Sequence, residues 1–451
     1  TGPRNPRVGE RYEVAFTVGD DPEVDANLLE YDCWASIAHA AALRRAEVLS
    51  GQELERLQGA LLALIERHRT EGVAISRSQE DCHTAIEQAL THELGDLGKK
   101  IHTGRSRNDQ VLTAVRLFTR ERLLAVSDLV LALVRTLLIR ARDGEAVPMR
   151  GYSHTQPAMP TTLAVWLGAH AESLQDDLLL LVEAYDFNDL CPLGSAAGFG
   201  SVVPLDRVYT AGLLEFKRVQ VNALYCQNSR GKQEGAALHA LESVAGSLAS
   251  LATDLILFCT REYGFVRLRD EMTTGSSIMP QKRNPDVLEL VRAREGTVAG
   301  AAEEVRRISS KLPSGYNRDY QLLKAPLVRA LDTVAASLTI MDYVVGTLTW
   351  DERALAASCT REIYAADLAL ELSLQGVPFR DAYKQSMDKL EQVEVDAAFI
   401  TARISAYKTL GSMGDPGLDR LDLRCANADS WTRREWERMG KYRERLRGPL
   451  D

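Results

Sequence analysis

The chain lacks the features that mark secreted, zinc-bound or membrane-spanning proteins. Its seven cysteines are scattered, with no CxxC pair and no histidine at zinc-ligand spacing, so neither a disulfide framework nor a zinc site is indicated. No run of about 18 apolar residues occurs, which argues against a membrane-spanning helix. Residues 1–11 are polar and lack the apolar core of a secretory signal. These absences predict a cytoplasmic protein with reduced thiols and no membrane partner.

Basic residues are also too few to predict a nucleic-acid partner. The 54 lysines and arginines are outnumbered by 63 aspartates and glutamates, giving a formal charge of -9, whereas a phosphate backbone favours a basic face. The hydrophobic content of 45% and the charged content of 26% are ordinary for a folded protein. The cations that would bind an anionic substrate must therefore be local.

Strand-like alternation is scarce, and apolar residues instead recur at steps of three and four. Leu241, Val244 and Leu248 follow this spacing, as do Leu327, Leu331 and Val334, which predicts long helices packed at shallow angles. The fold class is therefore predicted to be all-α, with a central bundle of about five long helices. The candidate helices cover residues 108–144, 160–188, 232–262, 285–311 and 321–350.

The spacing of these helices predicts three helical domains. Residues 1–107 form a small N-terminal domain, 108–350 the long-helix bundle, and 351–451 a small C-terminal domain rich in charge and turns. Long apolar stripes are commonly buried against another subunit, so a homo-oligomer is expected. A monomeric bundle that buries its own stripes is the alternative.

A loop at 275–286, reading GSSIMPQKRNPD, is the strongest candidate for a functional site. Pro280 and Pro285 keep it out of regular structure, so its polar side chains stay available. Asn284 suits the N-cap of the following helix and Pro285 its first position. An anion bound there would meet several donors at once.

Three further polar clusters adjoin predicted long helices. They cover residues 99–110, 151–157 and 314–321, with Lys324 one turn beyond the last. Each also has a purely structural interpretation. The first fits a solvated loop with an N-cap, the second a hydrogen-bonded packing histidine at His154, and the third an interhelical turn. Because neighbouring antiparallel helices put successive loops at opposite bundle ends, convergence of these loops requires more than one subunit.

These clusters together resemble the fumarase/aspartase superfamily, whose signature GSSxMPxKxNP is matched from Gly275 to Pro285. Within it, the chain is similar to the argininosuccinate lyase family over residues 80–450. The motifs that carry this similarity are HTGRSRNDQ at 102–110, GYSHTQPAMPTT at 151–162, PLGS at 192–195, GVPFRDAY at 376–383 and the Glu-Asp-x-His element at 80–83.

Three positions depart from the family pattern. The family's Trp-Gly-Gly-Arg-Phe opening is absent, and its Asp-Arg-Asp stretch is replaced near residues 227–232. Ser153 stands where threonine is more usual, although its hydroxyl can serve the same hydrogen bond. The substrate contact made by the family's opening therefore has no position in this sequence.

The resemblance implies reversible elimination of argininosuccinate to arginine and fumarate, without cofactor or metal, in a homotetrameric multi-helix bundle with shared active sites. Ser276 is then the general base, with Lys282 and Asn284 stabilising developing charge. His154 serves the acid side, with Glu289 as its carboxylate partner; Glu289 also suits a first-turn acid that stabilises the helix dipole. The implied substrate contacts are Ser106, Arg107, Asn108, Ser153, His83, Tyr316, Gln321 and Lys324.

Three other functions remain open from the residues. A sibling lyase such as adenylosuccinate lyase, fumarase or aspartase would share the signature loop and the bundle, but the elements at 102–110 and 376–383 favour the argininosuccinate type. A crystallin-like structural homologue would keep the fold without turnover. A helical scaffold binding partners through its charged C-terminal region has no support beyond ordinary surface charge.

Overall fold

Five long helices form the centre of the molecule, as predicted. The computed structural model describes residues 16–450, and the long helices pack against one another around one apolar core. They are α6 (Arg107–Asp143), α7 (Leu163–Asn188), α10 (Lys232–Phe258), α11 (Asp286–Ser309) and α12 (Lys324–Thr347). The all-α prediction is confirmed.

Shorter helices precede this bundle. In α2 (Leu29–Arg45) most residues are buried, and this helix packs against α3 (Gly51–Glu71) and α6. Helix α3 begins at a capping box in which Ser50 and Glu53 satisfy each other's backbone N–H groups. The helices of this part are α1 (Asp21–Asp25), α2 (Leu29–Arg45), α3 (Gly51–Glu71), α4 (Cys82–Leu94) and α5 (Asp96–Lys100).

Short strands and helices connect the long ones. The antiparallel hairpin of β1 (Pro148–Ser153) and β2 (Gln156–Thr162) joins α6 to α7, so α7 begins at Leu163, not near residue 160. The other strands pair as β3 (Leu190–Cys191) with β4 (Arg218–Val219), and β5 (Val266–Arg267) with β6 (Thr349–Trp350). Helices α8 (Arg207–Leu213) and α9 (Ala223–Asn228) precede α10.

The C-terminal part contains a sixth long helix that was not predicted. Helix α17 (Leu418–Arg447) packs against α6 and α7, and its Leu421, Met439 and Tyr442 belong to the main core. By contrast, Cys359, Ile363 and Tyr364 form a small separate cluster. The intervening helices are α13 (Glu352–Ser358), α14 (Ala365–Leu374), α15 (Phe379–Leu390) and α16 (Ala397–Ala406).

One stretch, Ala223–Phe258, is long and apolar enough to pass a membrane-span test, with a mean hydropathy of 1.4. Its Leu241, Val244 and Leu248 are buried in the core against neighbouring helices. The core helix of a folded protein can have the same length and composition, so this stretch is only weak evidence of a membrane segment.

Candidate active site

A pocket of about 260 Å³ lies where α1, α4, the start of α6 and the start of α12 meet. Its wall carries both signs of charge. Five carboxylates line it, those of Asp21, Asp25, Glu80, Asp81 and Glu234, and four cationic side chains, those of Arg107, Arg230, Arg318 and Lys324. Six predicted substrate contacts line it, and we call them the pocket group: His83, Arg107, Asn108, Tyr316, Gln321 and Lys324.

Ser106 sets the geometry of the pocket floor by capping α6. Its hydroxyl accepts from the Asn108 N–H at 3.3 Å, while Asp109 accepts from the Ser106 N–H at 3.0 Å. The other oxygen of buried Asp109 accepts from the N–H groups of Gly194 and Ala196, both at 2.9 Å. The motif at 102–110 is therefore tied to the PLGS loop, which explains why both belong to one site.

His83 lies in the pocket wall with one ring nitrogen committed and the other without a partner among residues 16–450. Its Nδ1 is 2.7 Å from Asp32, whose carboxylate also accepts from the Gln110 amide. Burial alone would lower the pKa of His83, but the Asp32 charge and hydrogen bond raise it above its usual value. Protonated His83 thus has an N–H available to an anion.

Lys324 is held by two carboxylates in α1. Its ammonium forms ion pairs with Asp25 and, at 3.0 Å, with Asp21. Burial raises the pKa of Asp21 to about 6, against the opposing charge of Lys324. Neither aspartate was predicted as a site residue, although their i,i+4 spacing in an acidic segment is a signal that the sequence contains.

Gln321 is likewise engaged within the chain. Its amide donates to the Thr17 carbonyl at 2.8 Å, and Arg318 donates to the same oxygen at 3.0 Å. Val18, next in the chain, lines the pocket. The segment before α1 therefore forms one side of the site.

Asp25, Cys82 and His83 bring a carboxylate, a thiol and an imidazole within 4.8 Å of one another. However, Asp25 is paired with Lys324 and His83 with Asp32, and burial raises the pKa of the Cys82 thiol well above its usual value. Because a metal binds the deprotonated thiolate and a neutral imidazole, whereas the raised pKa values of Cys82 and His83 favour the protonated forms, this set does not fit a resident metal ion.

Seven of the thirteen predicted residues do not line this pocket within the described chain. One is Ser106, which caps α6 beside it, and we call the other six the peripheral group. They are Ser153, His154, Ser276, Lys282, Asn284 and Glu289. No hydrogen bond or ion pair joins His154 to Glu289 within residues 16–450. One described chain therefore brings six of the thirteen predicted residues together at the pocket and leaves the peripheral group outside it.

Ser153 and His154 lie at the tip of the β1–β2 hairpin. Ser153 pairs with Gln156 across a two-residue turn whose central residues, His154 and Thr155, have φ of 53° and 58°. Two positive φ values are the requirement of a type I′ turn, which normally selects Asn or Gly. A histidine held in this conformation is exposed and costs backbone strain, which is a pointer to function.

The signature loop is closed at its base by a backbone pair. The Asn284 N–H donates to the Thr274 carbonyl at 2.8 Å, and the Thr274 N–H donates back at 3.1 Å. The first helical hydrogen bond of α11 runs from the Glu289 N–H to the Pro285 carbonyl, at 3.2 Å, so Asn284 is not the N-cap of that helix. Pro285 occupies that position and the helix begins at Asp286, so the predicted cap was wrong by one residue.

Within that loop, Ser276 is half-buried and its hydroxyl oxygen receives two backbone donors. The N–H groups of Met279 and Ile278 lie 3.2 and 3.4 Å from Oγ. Lys282 and Glu289 are exposed. The loop therefore presents an oxygen with backbone donors already directed at it, beside an unburied ammonium group.

Comparisons with known proteins identify the family. A family described as Lyase matches residues 12–300. Argininosuccinate lyase of Thermotoga neapolitana is 44% identical over 83% of this chain and 94% of its own length. That of Sorangium cellulosum is 43% identical over 91% and 95%. The chain belongs to the argininosuccinate lyase family, within the fumarase/aspartase superfamily.

Solved structures show that this member of the argininosuccinate lyase family has the superfamily's helical fold. EDDS lyase in complex with formate superposes with a TM-score of 0.82 at 22% identity, covering 96% of this chain and 94% of that one. Class II fumarase from Schistosoma mansoni gives 0.71 at 15% identity, covering 85% and 94%. The prediction of a superfamily bundle is thereby confirmed.

Proposed function

We propose that this argininosuccinate lyase family member eliminates arginine from argininosuccinate and releases fumarate, as a step of arginine biosynthesis in the cytoplasm. The mixed charge of the pocket wall is the observation that carries this proposal. Argininosuccinate has two carboxylates on its succinyl part, a guanidino group bonded to that part, and an α-amino and an α-carboxylate group at its other end. Arg107 and His83 suit the anions, whereas the carboxylates of α1 suit the cations.

Ser276 is the proposed base. It takes the proton from a carbon beside a carboxylate, and the electron pair left there forms the C=C bond of fumarate. The C–N bond at the neighbouring carbon breaks at the same time, and the guanidino nitrogen leaves with that bonding pair. Serine is otherwise too weak a base, but two backbone N–H groups at 3.2 and 3.4 Å would stabilise its alkoxide. Lys282 and Asn284 add donors where the carboxylate gains a second charge.

His154 is the proposed acid-side residue, with Glu289 as its proposed carboxylate partner. The leaving nitrogen needs a proton at or before departure. An exposed histidine at the tip of a hairpin is suited to deliver that proton to a pocket on another subunit. This requires that the peripheral group of one subunit meets the pocket group of another. We propose a homotetramer with shared sites, as the family resemblance implies, with no nucleic-acid or membrane partner and no cofactor.

An ultraviolet assay for fumarate tests this function. We expect release from argininosuccinate, and none above background from adenylosuccinate, malate or aspartate. Comparable release from adenylosuccinate would instead favour a sibling lyase. No release from any of the four substrates by a folded tetramer would overturn the proposal and leave a structural homologue.

A further inference from the structure

The turn at residues 227–232, where the family's Asp-Arg-Asp pattern is replaced, lies between α9 and α10 beside the pocket. Arg230 in this turn lines the pocket and is 7% exposed. It forms no ion pair within the described chain, and its Nε has no partner there. A buried guanidinium without a carboxylate partner must be retained for its other contacts.

Those contacts join two parts of the predicted substrate site. Arg230 Nη2 donates to the Asn108 carbonyl at 2.7 Å, at the start of α6. Its guanidinium carbon lies 5.1 Å from the ring centroid of Tyr316 and 5.7 Å from that of Tyr320. Cations at this distance from an aromatic face are attracted to it, most strongly when desolvated.

Asn228, in the same turn, holds the preceding residues of the Tyr316 loop. Its side-chain oxygen accepts from the Gly315 N–H at 2.8 Å, and its amide donates to the Ser314 hydroxyl at 3.3 Å. Gly315 has a φ of 100°, and a Cβ added there would meet nothing within 4 Å. The start of the loop is therefore held by Asn228 and Arg230, while its end is held by the Thr17 contacts of Arg318 and Gln321.

The turn itself is rigid enough to transmit that position. Gly231 has a φ of 84°, and a Cβ there would lie 2.2 Å from the Ser309 Cβ, so a side chain cannot be accommodated. Its N–H donates to Glu234 at 2.8 Å, which fixes the start of α10. Arg230 is therefore anchored immediately before a close contact between α10 and α11.

We propose that Arg230, assisted by Asn228, is a positioning residue that clamps the Tyr316 loop to the start of α6. It acts through Tyr316 and Asn108, without touching the reacting atoms. This rests on the proposed function for its effect on substrate, but the clamp itself is a property of the free protein. The buried carboxylates of Glu234 and Asp109 attract Arg230 without forming an ion pair with it, and each accepts from backbone N–H groups.

The test uses Arg230→Met, with Lys232→Met as its matched control. Lys232 lies in the same turn and makes a cation–π contact of 5.2 Å, but with exposed Tyr225, away from the pocket wall. Hydrogen exchange of residues 312–322 should become faster in Arg230→Met and stay unchanged in Lys232→Met. If exchange in the two variants is equal, the clamp is refuted, whatever the substrate proves to be.

Kinetics give the second reading. We expect Arg230→Met to raise KM for argininosuccinate about tenfold with kcat within about twofold, because a contact used equally by substrate and transition state is weakened. Arg230→Lys should recover part of the loss. A fall in kcat at unchanged KM would contradict the positioning role.

A double variant shows whether Arg230 acts through Tyr316. In a Tyr316→Leu background, Arg230→Met should change KM less than about threefold, because the shared contact is already lost. Fully additive effects would overturn the proposal. Should the unmodified protein fail to cleave argininosuccinate, the proposed function falls, and the exchange experiment still decides the clamp.

Discussion

The pocket group and the peripheral group are built in opposite ways. Lys324 is 8% exposed and paired with two aspartates, whereas Lys282 is exposed with no ion pair in residues 16–450. His83 is buried against Asp32, whereas His154 is exposed in a strained turn. One half is fixed by the fold of a single chain. The other is presented outward, as expected of groups that complete a site on a neighbouring subunit.

This difference separates stability from chemistry. Buried charges cannot lose a partner without a large free-energy cost, whereas exposed loop residues contribute little to unfolding free energy. Substitutions of the buried pocket residues His83 and Lys324 should therefore alter both stability and binding. Substitutions in the peripheral group should alter turnover alone.

The largest expected effect is on turnover in the peripheral group. Ser276→Ala should lower kcat about a thousandfold, because general-base catalysis contributes on that scale, while substrate binding and unfolding free energy stay unchanged. Exposed Ser277→Ala is the neighbouring control and should retain activity. Near-normal fumarate release by Ser276→Ala would remove that residue from the base role.

Stability should show the reverse pattern. Lys324→Met leaves Asp21 and Asp25 without their cation and should cost about 3–5 kcal/mol of unfolding free energy. Lys282→Met should change it by less than about 0.5 kcal/mol. Urea denaturation of both variants at one protein concentration measures this. Equal costs would mean that the two groups do not differ in the way their burial indicates.

The fold was largely predictable because long apolar stripes survive in sequence as steps of three and four. All five predicted long helices are present. Helix α17 was missed because its charge-rich sequence hides the few buried positions, such as Leu421, Met439 and Tyr442. The division into three domains stays a prediction.

The site was predictable as motifs but not as contacts. The motif at 102–110 predicted Arg107 and Asn108 as site residues. Nothing in that motif predicts that Arg230, 122 residues away in the sequence, donates to the Asn108 carbonyl. Asp21 and Asp25 escaped because their role depends on facing Lys324, a pairing that only the tertiary fold creates. Long-range partners are the part that periodicity and short motifs do not encode.

Mixing two inactive variants should restore activity, because native sites can then be assembled from two different chains. If a site takes its pocket group and its Ser276 from different chains, co-assembly of Ser276→Ala with Asn108→Leu leaves about a quarter of sites with both positions native. Activity should return toward about a quarter of that of the unmodified protein after joint refolding. Each variant refolded alone is the control. No recovery in mixed oligomers would place both groups in one subunit.

The smallest expected effect is on the pH dependence of the unfolding free energy, and it concerns His83 of the pocket group. Because the folded-state pKa of His83 is raised, by an Asp32 charge that outweighs burial, its stabilising contribution is complete below the usual imidazole pKa of about 6.5 and is lost as pH rises through the folded value. His83→Gln should therefore be less stable than the unmodified protein at pH 6, with a difference that narrows as pH increases. Urea denaturation of His83→Gln and of the unmodified protein at several pH values measures this difference. A constant difference across this range for His83→Gln would mean that the Asp32 pair does not titrate with folding, and that His83 holds its place through packing instead of charge.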